Sequence, residues 1–116
     1  MIDDKAFAQT KARSLHRRGS STKLTRQKLQ HAGVDRETLD RAMAGLDEEL
    51  HVDPRRRELT AAIALARRRK LGPFRADKDR KDRRTRDLAA MARGGFDFRL
   101  AKKVIDAVDP EALDAD

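Results

Sequence analysis

The residues best able to bind a metal or move a proton near neutral pH are His16, His31 and His51. They lie 15 and 20 positions apart, each on a different predicted helix, and match no zinc pattern. Gly19-Ser20-Ser21-Thr22-Lys23 has the flavour of a phosphate-binding loop. It lacks the second glycine before the lysine and follows a predicted helix, not a strand, so it reads as a turn with a serine cap. Asp47, Glu48 and Glu49 are consecutive carboxylates that a helix would point in different directions, and they read as solvated surface. No Ser/His/Asp arrangement stands out. With no cysteine in the chain, thiolate metal sites and disulfide scaffolds are excluded. The expectation is a protein that is not an enzyme and has no metal or cofactor.

The remaining chemistry is electrostatic. The 116 residues include 28 Lys plus Arg and 20 Asp plus Glu, a formal net charge of +8. Residues 1–53 contribute +1, residues 54–103 contribute +12 and residues 104–116 contribute −5. Such asymmetry points to a polyanionic partner. Arg67, Arg68, Arg69 and Lys70 end a predicted helix, where cations are favoured by a few tenths of a kcal/mol, and Arg17 and Arg18 hold the equivalent place earlier in the chain. Arg80, Lys81, Arg83, Arg84 and Arg86 instead crowd the start of a predicted helix, where positive charge is unfavourable. Asp77, Asp79 and Asp82 offset this only in part, so a partner is expected to supply the compensation. Arg75 and Arg93 flank this block, and Arg99, Lys102 and Lys103 extend it. These basic residues form the expected surface for a partner or for DNA. Only Phe96 and Phe98 could stack on bases, and Phe96 reads as core. Phosphate or acidic-protein contact is therefore better supported than base stacking.

The elements that position these groups are helices throughout. Phe7, Ala8, Ala12 and Leu15 form one apolar stripe, and Leu39, Ala42, Met43, Leu46 and Leu50 another. Leu59, Ala62, Ile63 and Ala66 follow the same period, as do Leu100, Ala101, Val104, Ile105 and Val108. No segment alternates as a half-buried strand would, so the fold class is all-α. Asp3 or Asp4, Ser20 or Ser21, Asp35, Asp53, Asp77 or Asp79, and Asp97 are the expected helix caps. Gly19, Gly33, Leu71-Gly72-Pro73 and Gly94-Gly95 are the expected stops. Six helices result, with Pro110 to Asp116 frayed or forming a weak turn. No apolar run approaches a membrane span, and the first residues lack a signal-peptide layout, which favours a cytoplasmic, membrane-free chain.

The six helices fall into two sets of three. Gly33-Val34-Asp35 aligns with Gly95-Phe96-Asp97 at an offset of 62, and Leu29 with Met91, Ala42 with Val104, Met43 with Ile105 and Leu46 with Val108 at the same offset. The first helices align at 53, with Gly19 meeting Gly72. The expected architecture is two tandem three-helix repeats, 1–53 and 54–108, in an elongated arrangement, followed by an acidic tail at 109–116.

On this frame the sequence resembles the RecX family, which regulates the bacterial recombinase RecA. Ile2-Asp3-Asp4-Lys5-Ala6-Phe7-Ala8 looks like the opening of that family's second repeat. Arg17-Arg18-Gly19, Leu29 with Gly33-Val34, the Leu39 to Leu46 stripe and the Ala-Ala-Ile-Ala helix follow in order. Leu88 with Arg93-Gly94-Gly95-Phe96 resembles the end of its last repeat, although Gly94 stands where the family often has a basic residue. The resemblance covers about residues 2–108 and implies the second and third of the family's usual three repeats, the first being absent from this sequence. It also implies a monomeric regulator in DNA repair and homologous recombination that binds the groove of the RecA–single-stranded-DNA filament. Such a regulator bridges subunits and hinders ATP turnover, filament growth and strand exchange. The alternative is a basic helical module that binds single- or double-stranded DNA without RecA.

Overall fold

The computed structural model describes residues 4–114. Its α-helices are α1 (Asp4–Arg17), α2 (Thr22–His31), α3 (Arg36–Leu50), α4 (Pro54–Arg69), α5 (Asp77–Arg93), α6 (Phe98–Ile105) and α7 (Pro110–Asp114). A single 3-10 turn, Gly72–Phe74, bridges α4 and α5, and the described residues include no strand. The molecule measures 54 × 27 × 20 Å.

Three of the expected caps form as the residue types require. The side chains of Asp35, Asp53 and Asp97 accept from the N–H groups of Thr38, Arg56 and Leu100 at 2.7–2.8 Å. Ser21, not Ser20, caps α2 by accepting from Leu24 N–H at 3.0 Å. Of the alternatives at the first helix, Asp3 lies outside the described residues. Helix α5 starts at Asp77 with no side-chain cap.

Helices α1, α2 and α3 pack on one another, and α4, α5 and α6 form a second set. The first core contains Ala8, Ala12, Leu29, Val34, Leu39, Ala42, Met43 and Leu46. The second is larger and adds aromatic bulk, with Leu59, Ile63, Leu71, Met91, Phe96, Val104 and Ile105 among its members. Each large side chain buried in these cores contributes about 2 kcal/mol of transfer free energy. The expected repeat has matching geometry. Gly33 and Gly95 both have φ of +92°, and Leu29 and Met91 are both fully buried. The carbonyls of Leu29 and Met91 accept from Val34 and Phe96 N–H at 3.0 and 3.2 Å.

Three details differ from expectation. Lys70, not Gly72, takes the left-handed position that ends α4, with φ of +56°. Gly19 therefore corresponds to Lys70 at an offset of 51, which pairs the buried Ala8 with Leu59, Ala12 with Ile63 and Leu15 with Ala66. Gly72 is left-handed as well, with φ of +54°, and its N–H donates to the Asp87 carboxylate at 2.9 Å. Second, α6 stops at Ile105, so Val108 leaves the apolar stripe and is 82% exposed, while Phe7 at 46% is also half out of the first stripe. Third, the last residues, expected to fray or form a weak turn, form the short helix α7, whose Leu113 sinks into the second core at 2% exposure.

Candidate polyanion-binding groove

The two helix sets meet through close backbone approaches. Gly19, with φ of +89°, lies so near α4 that a Cβ would sit 2.5 Å from the Leu65 nitrogen. Gly95 presses equally closely on the Ser21 side chain. A polar clasp completes the junction. Thr22 donates from its N–H and its hydroxyl to Glu58 Oε1 at 2.8 and 3.0 Å, and its hydroxyl accepts from Arg57 at 3.1 Å. Arg57, buried at 6% exposure, also donates to Asp47. Asp47 is thus a half-buried junction carboxylate and not solvated surface. Glu48 and Glu49 are exposed as expected, and Glu49 binds Arg13 of α1 through both oxygens at 2.5 and 2.6 Å. The adjacent half-buried His16 imidazole is held below its usual pKa, first by burial and then by Arg57.

This junction opens on one side into a trough of two adjoining hollows, about 250 and 290 Å³. Arg69, Ala90 and Arg93 line both. Arg75, Arg83 and Arg86 line only the first, and Arg18, Lys28 and Arg68 only the second. The helical period puts Arg83, Arg86, Ala90 and Arg93 on one stripe of α5. Among the described residues Arg18, Lys28, Arg68, Arg69, Arg83, Arg86 and Arg93 form no ion pair. Seven unpaired cations around one concavity make a strongly positive local field that attracts anions carrying several adjacent charges.

The other face of α5 is occupied internally. Arg80 donates to the carbonyls of Ile105, Ala107 and Val108 at 2.7–3.1 Å, satisfying the orphan acceptors at the end of α6. Arg84 binds both oxygens of Asp106 at 2.7 and 2.8 Å, holding that carboxyl below the usual carboxylate range. Arg75 reaches the groove wall but is held by the Asp87 carboxylate through bonds of 2.7 and 3.1 Å. Asp87 is 1% exposed and also accepts from Gly72 N–H, so it ties the 3-10 turn to α5. Much of the unfavourable charge at the start of α5 is therefore compensated within the chain. The expectation that a partner supplies the compensation does not hold for Arg80 and Arg84, and Arg75, expected in the binding surface, is also paired within the chain.

Of the basic residues singled out from sequence, the fold brings Arg68, Arg69, Arg75, Arg83, Arg86 and Arg93 together. Arg67 is elsewhere, its guanidinium 5.4 Å from the Phe74 ring centre. Lys70 and Lys81 are exposed outside the trough. Arg99 and Lys103 line a separate hollow beside Asp53 and Asp97, and Lys102 lies on the same helix, α6. Sequence reasoning missed Arg18 and Lys28 because they belong to the near-neutral half. Arg18 carried one available signal, its place immediately before Gly19, the residue that touches α4. Among the described residues no helix is long and apolar enough to cross a membrane.

A family model described as RecX, second three-helix domain, matches residues 3–43. The chain is 44% identical over 108 residues to the Regulatory protein RecX of Myxococcus xanthus (strain DK1622), an alignment spanning 92% of this chain and 54% of that protein. It is 38% identical over 113 residues to the Regulatory protein RecX of Agrobacterium fabrum (strain C58 / ATCC 33970), spanning 97% of this chain and 56% of that one. The chain thus spans about half the length of these curated relatives. No solved structure matches it.

Proposed function

The chain belongs to the RecX family, and from that premise we propose that it is a RecX-type regulator acting by binding and not by catalysis. The observation that carries this reading is the 38–44% identity to two RecX proteins across more than nine tenths of the chain. The partner is the RecA filament on single-stranded DNA, a nucleoprotein polyanion that presents acidic protein surface and phosphate together. Repeat units 1–53 and 54–108 form the binding body, with 109–116 as an acidic tail. The protein works as a monomer in the cytoplasm, where its partner is, and restrains ATP turnover, filament growth and strand exchange.

The trough supports this reading because its cations come from both helix sets, so an extended anion lying in it contacts both. Of the remaining basic residues, Arg67, Lys70, Lys81, Arg99, Lys102 and Lys103 face outward and are assigned to filament contact outside the trough. Purified chain added to RecA and single-stranded DNA is expected to lower the DNA-dependent ATPase at sub-saturating amounts. Unchanged ATPase and unchanged strand exchange overturn the reading. The seven unpaired cations also favour a second reading, a DNA-binding module that needs no RecA. That reading requires binding to bare DNA that weakens linearly in log–log form as salt rises, with no effect of RecA.

A further inference from the structure

We propose that Ser20 is a phosphorylation site, and that its phosphate occupies the basic groove and competes with the polyanion there. This rests on the reading of the groove as a polyanion site.

Three consecutive hydroxyl residues, Ser20, Ser21 and Thr22, enter α2. The fold has already used two of them. Ser21 is fully buried, caps the helix through Leu24 N–H, and is pressed by Gly95. The Thr22 hydroxyl bridges Arg57 and Glu58. Ser20 is half-exposed, lies outside both helices, and its hydroxyl makes no hydrogen bond among the described residues. Its backbone is spoken for, since its N–H closes α1 on the Leu15 carbonyl at 3.0 Å. Ser20 lines the same hollow as Arg18, Lys28, Arg68, Arg69 and Arg93.

This setting suits a phosphomonoester. A phosphoserine carries about −1.5 to −2 charges at neutral pH, and its oxygens accept charge-assisted bonds from guanidinium groups. It would also stand just ahead of the N-terminus of α2, where a negative charge is favoured by the helix dipole. The approach to the hydroxyl has a matching sequence. Arg17-Arg18-Gly19-Ser20 places two exposed arginines three and two positions before the acceptor. That pattern suits a serine/threonine kinase with an acidic substrate channel.

In the transfer, Ser20 Oγ attacks the γ-phosphorus of a nucleoside triphosphate and the bridging bond to the β-phosphate breaks. The nucleoside diphosphate leaves with that electron pair, and the hydroxyl proton passes to a carboxylate of the kinase. The product neutralises about two of the cations around it, in the sense that two fewer are free to release counterions from DNA.

The test treats the full chain with an arginine-directed serine/threonine kinase and ATP, with the Ser20→Ala variant as control. Mass spectrometry places the phosphate, and anisotropy measures binding of a fluorescein-labelled oligothymidylate across a salt series. The chain with phosphoserine encoded genetically at position 20 is measured alongside. The expected result is phosphate on Ser20, none on the control, and weaker oligonucleotide binding. The salt slope should become shallower by about 1.4, which is two single-strand phosphate contacts. Phosphate placed only at Ser21, Thr22 or elsewhere overturns the proposal. So does a phosphoserine-20 chain that binds as tightly as the unmodified one. If the unmodified chain itself fails to bind oligonucleotide, the groove reading falls first and takes the switch with it.

Discussion

Arg80 and Arg84 lie on one side of α5 and Arg83 and Arg86 on the other, and the two pairs meet opposite fates. The first pair is absorbed by the C-terminal end of α6 and by Asp106. The second opens onto the groove without an acidic partner. Four arginines within seven residues are therefore not one patch. Helical period divides them by face, and what packs on each face decides whether a charge holds the fold together or remains available to a partner. Asp87 and Arg93 extend the same contrast, one buried against the 3-10 turn and the other shared by both hollows.

The largest test of this division is Asp87→Ala. It removes the acceptor for Gly72 N–H and for Arg75, leaving a buried donor and a cation without their partner. A loss of about 3 kcal/mol in urea unfolding is expected. A loss under about 1 kcal/mol would show that the turn holds without its anchor. Next is Gly19→Ala on the groove wall. It combines a left-handed backbone with a Cβ against the Leu65 backbone, and about 2 kcal/mol should be lost. Oligonucleotide binding should weaken too, because the wall carrying Arg18 and Ser20 must move.

The direct comparison is smaller in energy and sharper in meaning. Replacing Arg83 and Arg86 together by Ala should leave stability within about 0.5 kcal/mol. The same change should make the salt slope of single-strand binding shallower by about 1.4. Arg84→Ala should do the reverse. It loses no more than about 1 kcal/mol, since its pair with Asp106 is partly exposed, and the salt slope stays the same. Equal effects of the two changes on binding would erase the distinction between the faces.

The smallest effect is expected at the clasp. His16 has a folded pKa below its ordinary 6.5, so the unfolded chain holds its proton more tightly. The contribution is full above pH 6.5 and is lost as pH falls from there toward the folded value. Unfolding midpoints of the unaltered protein should drop over that range, and His16→Gln should flatten the drop. An unaltered slope in the variant would assign the pH dependence to other groups.

Much of the local structure was legible because its causes are local. Asp35, Asp53 and Asp97 cap helices through atoms three residues away, and the buried stripe of α4 follows from period alone. The stops were less legible. Gly72 looks like a terminator, yet Lys70 takes the left-handed position that closes α4, and Gly72, two residues later, gives its N–H to Asp87, fifteen residues on. The candidate site was half legible. Arg69, Arg83, Arg86 and Arg93 stood out as charge, whereas Arg18 and Lys28 sat in a near-neutral segment, Arg18 marked only by the Gly19 that follows it and Lys28 not marked at all. Asp47 read as surface, because the arginine that pairs with it is supplied by the next helix.

By itself the sequence determined the all-α class, most of the helix starts and the repeated three-helix pattern, since propensity, capping and apolar period act within one or two turns. It also carried the family resemblance, which resides in residue order. The tertiary structure alone decided which cations remain free, which hydroxyl of three remains unpartnered, and that one groove draws on both helix sets. Those outcomes depend on which residues far apart in the chain come within hydrogen-bonding distance, and no local pattern encodes that.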